Sequence, residues 1–348
     1  MRSGSAVLQV SSDRLDRVLK RVSRSFYLSL KVLPRTVRGP VGLAYLFARA
    51  ADTIADTALI SPTERLIHLE RLRGLFRQYD ATVLLSLREA LIGPQENPAE
   101  RELLASLDDC FAAYQACDHA DQTRIGRLLL TLTQGMIMDL TTFPQEHEGH
   151  VVALKTWADL ERYTYYVAGC VGEFWTDMHI AHRPALGTWD AALMKQRGIR
   201  FGKGLQLTNI VRDLPRDLRL GRCYLPQEDL ARYGLEPADL LEASAMAKVR
   251  PLLQHLLNAI LDHYREGWAY TLAVPRREVQ LRLACAWPLL IGCRTLRLIA
   301  AAPNLLDPAT IVKIPRGAVY RILLCSGLLA ASNWGLRQYA HRLSARLL

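Results

Sequence analysis

The sequence lacks the features that mark several common classes of protein. Its seven cysteines are odd in number and show no Cys-x-x-Cys spacing, so we expect free thiols in a reducing compartment. No Cys/His cluster has the spacing of zinc ligands, since His179 and His182, three residues apart, form only a lone histidine pair in the sequence. Glycine-rich phosphate loops are missing too, because residues 198–204 fit neither P-loop nor dinucleotide spacing.

Long apolar runs and alternating strand patterns are equally scarce. The longest late apolar run, residues 322–331, has about half of the ~20 residues that a membrane-spanning helix needs. Residues 6–10 are too short for the core of a signal peptide. We therefore expect a cytoplasmic protein without a spanning anchor. No nucleic-acid motif accompanies the net charge of +10, which favours anionic substrates first and contact with the inner membrane face second.

Amphipathic helical patterns, in contrast, are abundant. Half of the residues are apolar, and apolar positions recur at helical spacing between prolines and glycines. The clearest examples are residues 14–33, 64–79, 122–140 and 248–272. This periodicity predicts an all-α protein.

Two pairs of aspartates stand out against this background. Asp52 and Asp56 are four residues apart, and so are Asp213 and Asp217, which places each pair on one face of a helix. Like charges at this spacing destabilise an isolated helix by about 0.2–0.5 kcal/mol. No other Asp-x-x-x-Asp pair occurs in the chain. Two such pairs therefore indicate a bound cation rather than two solvated acidic faces.

Arginines flank both pairs. Arg49 precedes the first, and the second is surrounded by Arg212, Arg216, Arg219 and Arg222. Guanidinium groups suit phosphate oxygens, and Mg²⁺ is typically held by one or two carboxylates together with substrate phosphates. The sequence thus predicts two helices that hold Mg²⁺ and a diphosphate across a cavity. Because the pairs lie about 160 residues apart and must meet, we expect one domain over residues 1–348.

These motifs resemble the squalene/phytoene synthase family, the head-to-head prenyl diphosphate synthases. The resemblance rests on residues 23–26 (Ser-Arg-Ser-Phe), 49–56, 163–169 (Tyr-Thr-Tyr-Tyr-Val-Ala-Gly) and 206–226. It covers a core from about residue 20 to about residue 320. The fold implied is a single-domain, all-α, isoprenoid-synthase-type helical bundle around a central cavity.

The resemblance also implies roles for individual residues. The Mg²⁺ ligands would be Asp52, Asp56, Asn209, Asp213 and Asp217, with Gln206 beside them. Substrate or its diphosphates would contact Ser23, Arg24, Phe26, Tyr45, Arg49, Arg212 and Arg222. Tyr163 matches a tyrosine that removes a proton or steadies a carbocation. For Tyr163, Tyr165 and Tyr166, plain helix packing is the alternative interpretation.

The implied reaction joins two molecules of farnesyl diphosphate through presqualene diphosphate and then reduces the product to squalene with NADPH. Residues 312–318 resemble a basic segment used towards the NADPH phosphates, so Lys313 and Arg316 would bind this cofactor. Two alternatives stay open: a dehydrosqualene or phytoene synthase without hydride transfer, and a non-catalytic relative that serves as an assembly factor. The intact aspartates disfavour the second.

Pro215 lies between the two aspartates of the second pair. Proline removes a helical hydrogen bond and crowds the preceding turn, so we expect the helix to kink or end there. This predicts Asp213 as the firmer metal ligand and Asp217 as the adaptable one.

Overall fold

The computed structural model describes residues 13–23, 26–143 and 150–344. In this part of the chain helices account for nearly all regular structure, and the two strands are two residues long each. The predicted all-α class is thus confirmed. Residue contacts divide the chain into one unit of Met1–Leu140 with Asp177–Arg183 and another of Thr141–Thr176 with Pro184–Leu348. The single domain expected over residues 1–348 stays a prediction.

In the described residues, the first unit contains eight helices from the N-terminal part of the chain, together with residues 177–183. They are α1 (residues 13–22), α2 (Phe26–Val32), α3 (Arg35–Asp56), α4 (Pro62–Arg77), α5 (Ala81–Ile92), α6 (Pro98–Ala105), α7 (Leu107–Ala116) and most of α8 (His119–Thr142). Side-chain caps define several starts: Ser61 and Glu64 form a capping box at α4, and Asp80 and Asn97 cap α5 and α6. The single helix expected over residues 14–33 is interrupted at Ser23.

An aromatic cluster fixes α3 within this unit. The ring centroid of Phe47 lies 4.9 Å from that of Phe76 on α4 and 4.8 Å from that of Phe111 on α7. Tyr114 meets Phe76 edge to face at 5.5 Å. Aromatic pairs of this geometry contribute about 0.5–1.5 kcal/mol each beyond their buried area. The helix that carries the first aspartate pair is therefore held rigidly.

The second unit combines the two short strands with the longer helices. Its elements are β1 (Val152–Ala153), α9 (Trp157–Thr164), a π-helical segment (Tyr165–Gly169), the start of α10 (Cys170–His182), α11 (Ala191–Arg219), β2 (Arg222–Cys223), α12 (Gln227–Arg232), α13 (Met246–Ala273), α14 (Val279–Ala301), α15 (Arg316–Leu329) and α16 (Asn333–Ser344). Short 3₁₀ turns lie at Pro184–Leu186, Pro237–Leu241 and Ala243–Ala245.

Helix α11 carries the second aspartate pair and continues through Pro215 to Arg219. Of the two outcomes expected at Pro215, the helix does not end there, and a kink stays a prediction. Leu214, Pro215 and Leu218 are all buried, so packing of this turn offsets the hydrogen bond that proline removes. The chain reverses at Gly221, whose φ of +77° favours glycine, and β2 then pairs in parallel with β1.

Helix α14 is the one helix of the described residues that is long and apolar enough to cross a membrane by length and composition. More than half of its apolar window is buried inside the protein. Arg282, Arg294 and Arg297 interrupt the apolar sequence of α14, so this helix does not stand out as a long apolar run.

Arg282 ties three chain segments together at the start of α14. Its side chain is fully buried, and Nε donates to the carbonyl oxygen of Ala330 at 2.6 Å. Nη1 donates to the carbonyl of Val274, and Nη2 to Oδ1 of Asn333, both at 2.6 Å. Burial, reinforced by the charge of Arg276, lowers the pKa of Arg282. The guanidinium thus satisfies acceptors from the end of α13 and from the turn between α15 and α16.

Replacing Arg282 with methionine is expected to destabilise the protein by about 3–5 kcal/mol, because buried acceptors lose charge-assisted hydrogen bonds. Differential scanning calorimetry would measure this as a fall of roughly 10 °C in Tm. Arg276→Met is the matched control, since Arg276 is exposed, and its Tm should stay within about 1 °C of the wild type. Equal Tm values for the two variants would contradict the role of Arg282.

Candidate active site

The first aspartate pair lies at the C-terminal end of α3. Asp56 is the last residue of this helix, Asp52 is one turn earlier, and the last turn has no basic residue. A negative side chain at a helix C-terminus is disfavoured by the helix dipole, by about 0.3–1 kcal/mol. Dipole and mutual repulsion therefore both disfavour this pair. A cation placed between the carboxylates would offset both effects.

A cavity of about 720 Å³ opens within the first unit, between the end of α3 and the start of α6. It is lined by Arg49, Asp52, Thr53, Asp56, Thr57, Ala58, Leu59, Gln95, Glu96, Asn97, Pro98 and Glu100. Its volume is in the range of pockets that take small-molecule ligands. Both predicted ligands of the first pair and the predicted diphosphate-binding arginine thus line one pocket.

Arg49 links the carboxylates of this cavity. Its Nη1 pairs with Asp52, and its Nη2 pairs with Oε1 of Glu100 at 2.5 Å. Burial lowers the pKa of Arg49, but the charges of Asp52 and Glu100 outweigh this and raise it. Tyr45, one turn earlier on α3, also acts on the Arg49 charge. Glu100 was not identified in the sequence, since nothing there shows that α6 faces α3.

Asp52 is short of positive charge despite this arginine. Burial, followed by repulsion from Asp56, raises the pKa of Asp52 to about 6, and Arg49 offsets the rise only in part. The side chain still has 39% of its surface exposed, so a ligand can approach it from the cavity. Two carboxylates this close repel each other, and a cation bound between them would relieve that repulsion. The pair fits a divalent ion.

The donor set at this position consists of carboxylate oxygens, which suits Mg²⁺ rather than zinc. Among the described residues, no group of three or more His, Cys, Asp or Glu side chains is arranged to hold a metal ion. Mg²⁺ does not require one, because it keeps several waters and completes its coordination with substrate phosphates. The first pair accordingly fits a metal that arrives together with a diphosphate.

The second aspartate pair lies on α11 in the second unit. Gln206, Asn209 and Asp213 share one half-exposed face of this helix, and Asn209 Nδ2 donates to Oε1 of Gln206 at 3.5 Å. Arg212 grips Asp213 with two hydrogen bonds, from Nε at 2.8 Å and from Nη2 at 2.6 Å. These bonds raise the pKa of Arg212. Burial opposes the rise, and the charges of Asp213 and Asp217 add to it. The second pair thus repeats the arginine–carboxylate pairing of the first.

A close backbone contact positions α11. A Cβ atom added at Gly172 on α10 would lie 1.9 Å from the carbonyl oxygen of Gly198 on α11. Glycine at this position lets the two backbones approach more closely than any other residue allows. The π-helical segment immediately before α10 belongs to the same packed region. Such segments occur frequently at functional sites.

Tyr163 forms a buried pair with a second tyrosine. The rings of Tyr163, on α9, and Tyr224, directly after β2, are stacked with centroids 4.9 Å apart and an interplanar angle of 26°. Their hydroxyl oxygens are 3.4 Å apart, and each residue is at most 7% exposed. Tyr224 was not identified from the sequence, although it lies within the 206–226 motif, two residues after Arg222. The neighbouring Tyr165 donates from its hydroxyl to Oε2 of Glu173 at 3.1 Å.

The remaining predicted substrate residues are distributed along the N-terminal helices. Ser23 is buried, and its hydroxyl donates to the carbonyl of Leu19 at 2.5 Å. Arg24 lies outside the described residues, and Phe26 is the first residue of α2. Tyr45 is half-buried on α3. Their contact with substrate stays a prediction.

The predicted cofactor residues lie at the start of α15. Lys313 is exposed in the segment before this helix, and Arg316 is its exposed first residue, directly after Pro315. In the described part of the chain neither forms an ion pair, so both charges are available to a phosphate. Arg222 is half-buried on β2. Convergence of these residues and of the two aspartate pairs on one cavity stays a prediction.

Comparison with known proteins relates this geometry to one family. The Squalene/phytoene synthase family model matches residues 19–317. The chain is 27% identical to the squalene synthase of Eremothecium gossypii, over 93% of this chain and 68% of that protein. It is 28% identical to the bifunctional lycopene cyclase/phytoene synthase of Pyrenophora tritici-repentis, over 72% and 40% of the two chains. Among solved structures, that of TcSQS with the ligand BPH1237 is similar at a TM-score of 0.74 and 26% identity, over 95% and 91%.

Proposed function

Because this chain belongs to the squalene/phytoene synthase family, we propose that it is a squalene synthase, a farnesyl-diphosphate farnesyltransferase. It condenses two molecules of farnesyl diphosphate head to head through presqualene diphosphate and then forms squalene. The observation that carries this proposal is the cavity at the end of α3, which is lined by Asp52, Asp56 and Arg49. A family member that had lost catalysis would have no need to maintain such an unfavourable pair of charges.

The four aspartates and Asn209 are proposed to hold Mg²⁺. When bound, Mg²⁺ supplies Lewis-acid stabilisation of the negative charge that develops on the departing diphosphate. Arg49, Arg212 and Arg222 bind phosphate oxygens, for which the planar, forked guanidinium is well suited. Asp52 and Asp213 also orient Arg49 and Arg212, since each carboxylate already pairs with its arginine. Asp52 and Asp213 thus serve both as metal ligands and as groups that orient the diphosphate-binding arginines.

The tyrosine pair is proposed to act on the carbocation left after diphosphate departs. Water would quench such a cation, and both rings are buried. An aromatic face stabilises a nearby positive charge, and a phenol hydroxyl can transfer a proton. Tyr163 has both capabilities, and the stacked Tyr224 fixes the orientation of its ring. Ser23, Arg24, Phe26, Tyr45 and Gln206 complete the proposed substrate contacts.

Lys313 and Arg316 are proposed to bind phosphate groups of NADPH. NADPH supplies the hydride for the second half of the reaction. The two cations fit this role because they are exposed and form no ion pair among the residues that the structure describes. They also lie at the N-terminus of α15, whose dipole favours an anion. We further propose that the enzyme works in the cytoplasm in contact with the inner membrane face, because its substrate and product carry long apolar chains.

Incubation with farnesyl diphosphate and Mg²⁺, with and without NADPH, tests this proposal. Product identification should show squalene only when NADPH is present. Dehydrosqualene under both conditions would instead identify a synthase without hydride transfer. The similarity to a bifunctional lycopene cyclase/phytoene synthase is the reason to test this alternative. No release of pyrophosphate under either condition would support the non-catalytic alternative.

Tyr163→Phe is expected to lower kcat for product formation by about 10²-fold, because it removes the proton-transferring hydroxyl but retains the ring. Tyr224→Phe should lower kcat by less, about 10-fold, since Tyr224 acts through Tyr163. Both are measured by steady-state kinetics with Mg²⁺ in excess. Tyr114→Phe is the control, because its hydroxyl donates to the carbonyl of Gln122 and its side chain does not line the cavity at Asp52 and Asp56. A larger loss for Tyr224→Phe than for Tyr163→Phe would reverse the assigned roles.

A further inference from the structure

Helix α15 presents an apolar stripe to solvent. Tyr320, Leu324 and Leu328 follow one another at intervals of four residues, so they share one face, and they are 67%, 69% and 82% exposed. The opposite face contains Ile322, which is buried, and Ser326, which is also buried. The helix therefore already packs by one side, and the other side is both apolar and uncovered.

This stripe belongs to a concentrated patch. Trp334, at the start of α16, is 74% exposed, and Ile311, before α15, is 80% exposed. Every large hydrophobic side chain of the described residues that is more than three-fifths exposed lies between positions 311 and 334. Single exposed apolar residues are ordinary on protein surfaces, but a cluster of them marks an interaction site.

The charge around the patch has one sign. Residues 308–344 contain five Lys or Arg residues and no Asp or Glu. These 37 residues thus contribute half of the net charge of +10. Arg321 lies beside the stripe on α15, and Arg337 and Arg342 lie on α16, all three exposed. An apolar stripe with aromatic residues and flanking arginines complements a surface that is apolar inside and anionic outside.

We propose that Tyr320, Leu324, Leu328 and Trp334, flanked by Arg321, Arg337 and Arg342, dock the enzyme onto an anionic lipid bilayer. This inference rests on the membrane contact proposed above, and it assigns that contact to a surface. The apolar side chains insert at the level of the lipid headgroups, and the arginines contact lipid phosphates. A second copy of the chain is a poorer partner, because self-association would bring two uniformly basic patches together.

Flotation with vesicles of phosphatidylglycerol and phosphatidylcholine tests the assignment on the full-length protein. The wild type is expected to bind these vesicles and to bind phosphatidylcholine vesicles at least ten times more weakly. Leu324→Glu/Leu328→Glu is expected to lower the partition coefficient for anionic vesicles at least tenfold, because carboxylates replace two inserting side chains. Leu85→Glu is the matched control, since Leu85 is 50% exposed on α5, and it should bind as the wild type does.

Several results would overturn the assignment. One is equal binding of the double variant and the wild type; another is a wild type that does not bind anionic vesicles. A third is a wild-type dimer, measured by light scattering, that the double variant dissociates while vesicle binding stays unchanged. Squalene formation in detergent tests the proposed function separately from the docking surface. A wild type that makes squalene but does not bind vesicles would contradict the docking surface alone. A wild type that binds vesicles but makes no product would contradict the proposed function alone.

Discussion

Replacing Asp52 with asparagine is expected to lower the rate of pyrophosphate release from farnesyl diphosphate by about 10²–10³-fold, or roughly 3–4 kcal/mol in the barrier. Asparagine retains the shape of the side chain but lacks the charge that holds a divalent cation. The substitution also removes a negative partner of Arg49, so this arginine is no longer oriented towards the diphosphate. Both effects act on the charge that develops as the leaving group departs.

Asp108→Asn is the matched control for this variant. Asp108 pairs with Arg88 in the same unit, so its replacement breaks a comparable arginine–carboxylate pair that does not line the cavity. Its rate of pyrophosphate release should remain within about twofold of the wild type. A second measurement does not depend on activity: the rise in Tm caused by Mg²⁺ with pyrophosphate should be smaller for Asp52→Asn. Wild-type activity and a wild-type Tm shift in Asp52→Asn would remove Asp52 from the metal site.

The family and the all-α fold were predictable because both depend on local sequence. Helical periodicity is visible in a single stretch, as at residues 248–272, which correspond to α13 (Met246–Ala273). The motif that contains Asn209 is likewise read from consecutive residues. The predicted family membership and fold class are confirmed.

The missed residues lie far from their partners along the chain. Glu100 is 51 residues from Arg49, and Tyr224 is 61 residues from Tyr163. Such contacts depend on how helices pack, which no local pattern specifies. The helix does not end at Pro215, one of the two outcomes expected there, for a related reason, since burial of this turn overrides the local penalty of proline. Tertiary packing, rather than propensity, decided each of these cases.

Asp213→Asn is expected to reduce the rate of pyrophosphate release by about 10³-fold, and Asp217→Asn at least tenfold less. Asp213 precedes Pro215 and shares a face of α11 with Gln206 and Asn209, so its position is set by regular helix. Asp213 also accepts two hydrogen bonds from Arg212. An asparagine in its place carries no negative charge and cannot accept both bonds equally well. Asp217 follows the proline, where the helix lacks one backbone hydrogen bond and can adjust around the loss.

The comparison requires equal folding and a control in the same unit. Asp262→Asn serves for this purpose, because Asp262 pairs with Arg265 on the exposed side of α13 and should leave the rate within about twofold of the wild type. Each variant is compared at saturating Mg²⁺ and again across a Mg²⁺ titration. Loss of a ligand raises the Mg²⁺ concentration needed for half-maximal rate, whereas loss of Arg212 orientation lowers the rate even at saturation. Asp213→Asn should show both effects and Asp217→Asn chiefly the first. The reverse ranking would mean that the residue beyond the proline, and not the one held by Arg212, is the principal metal ligand of α11.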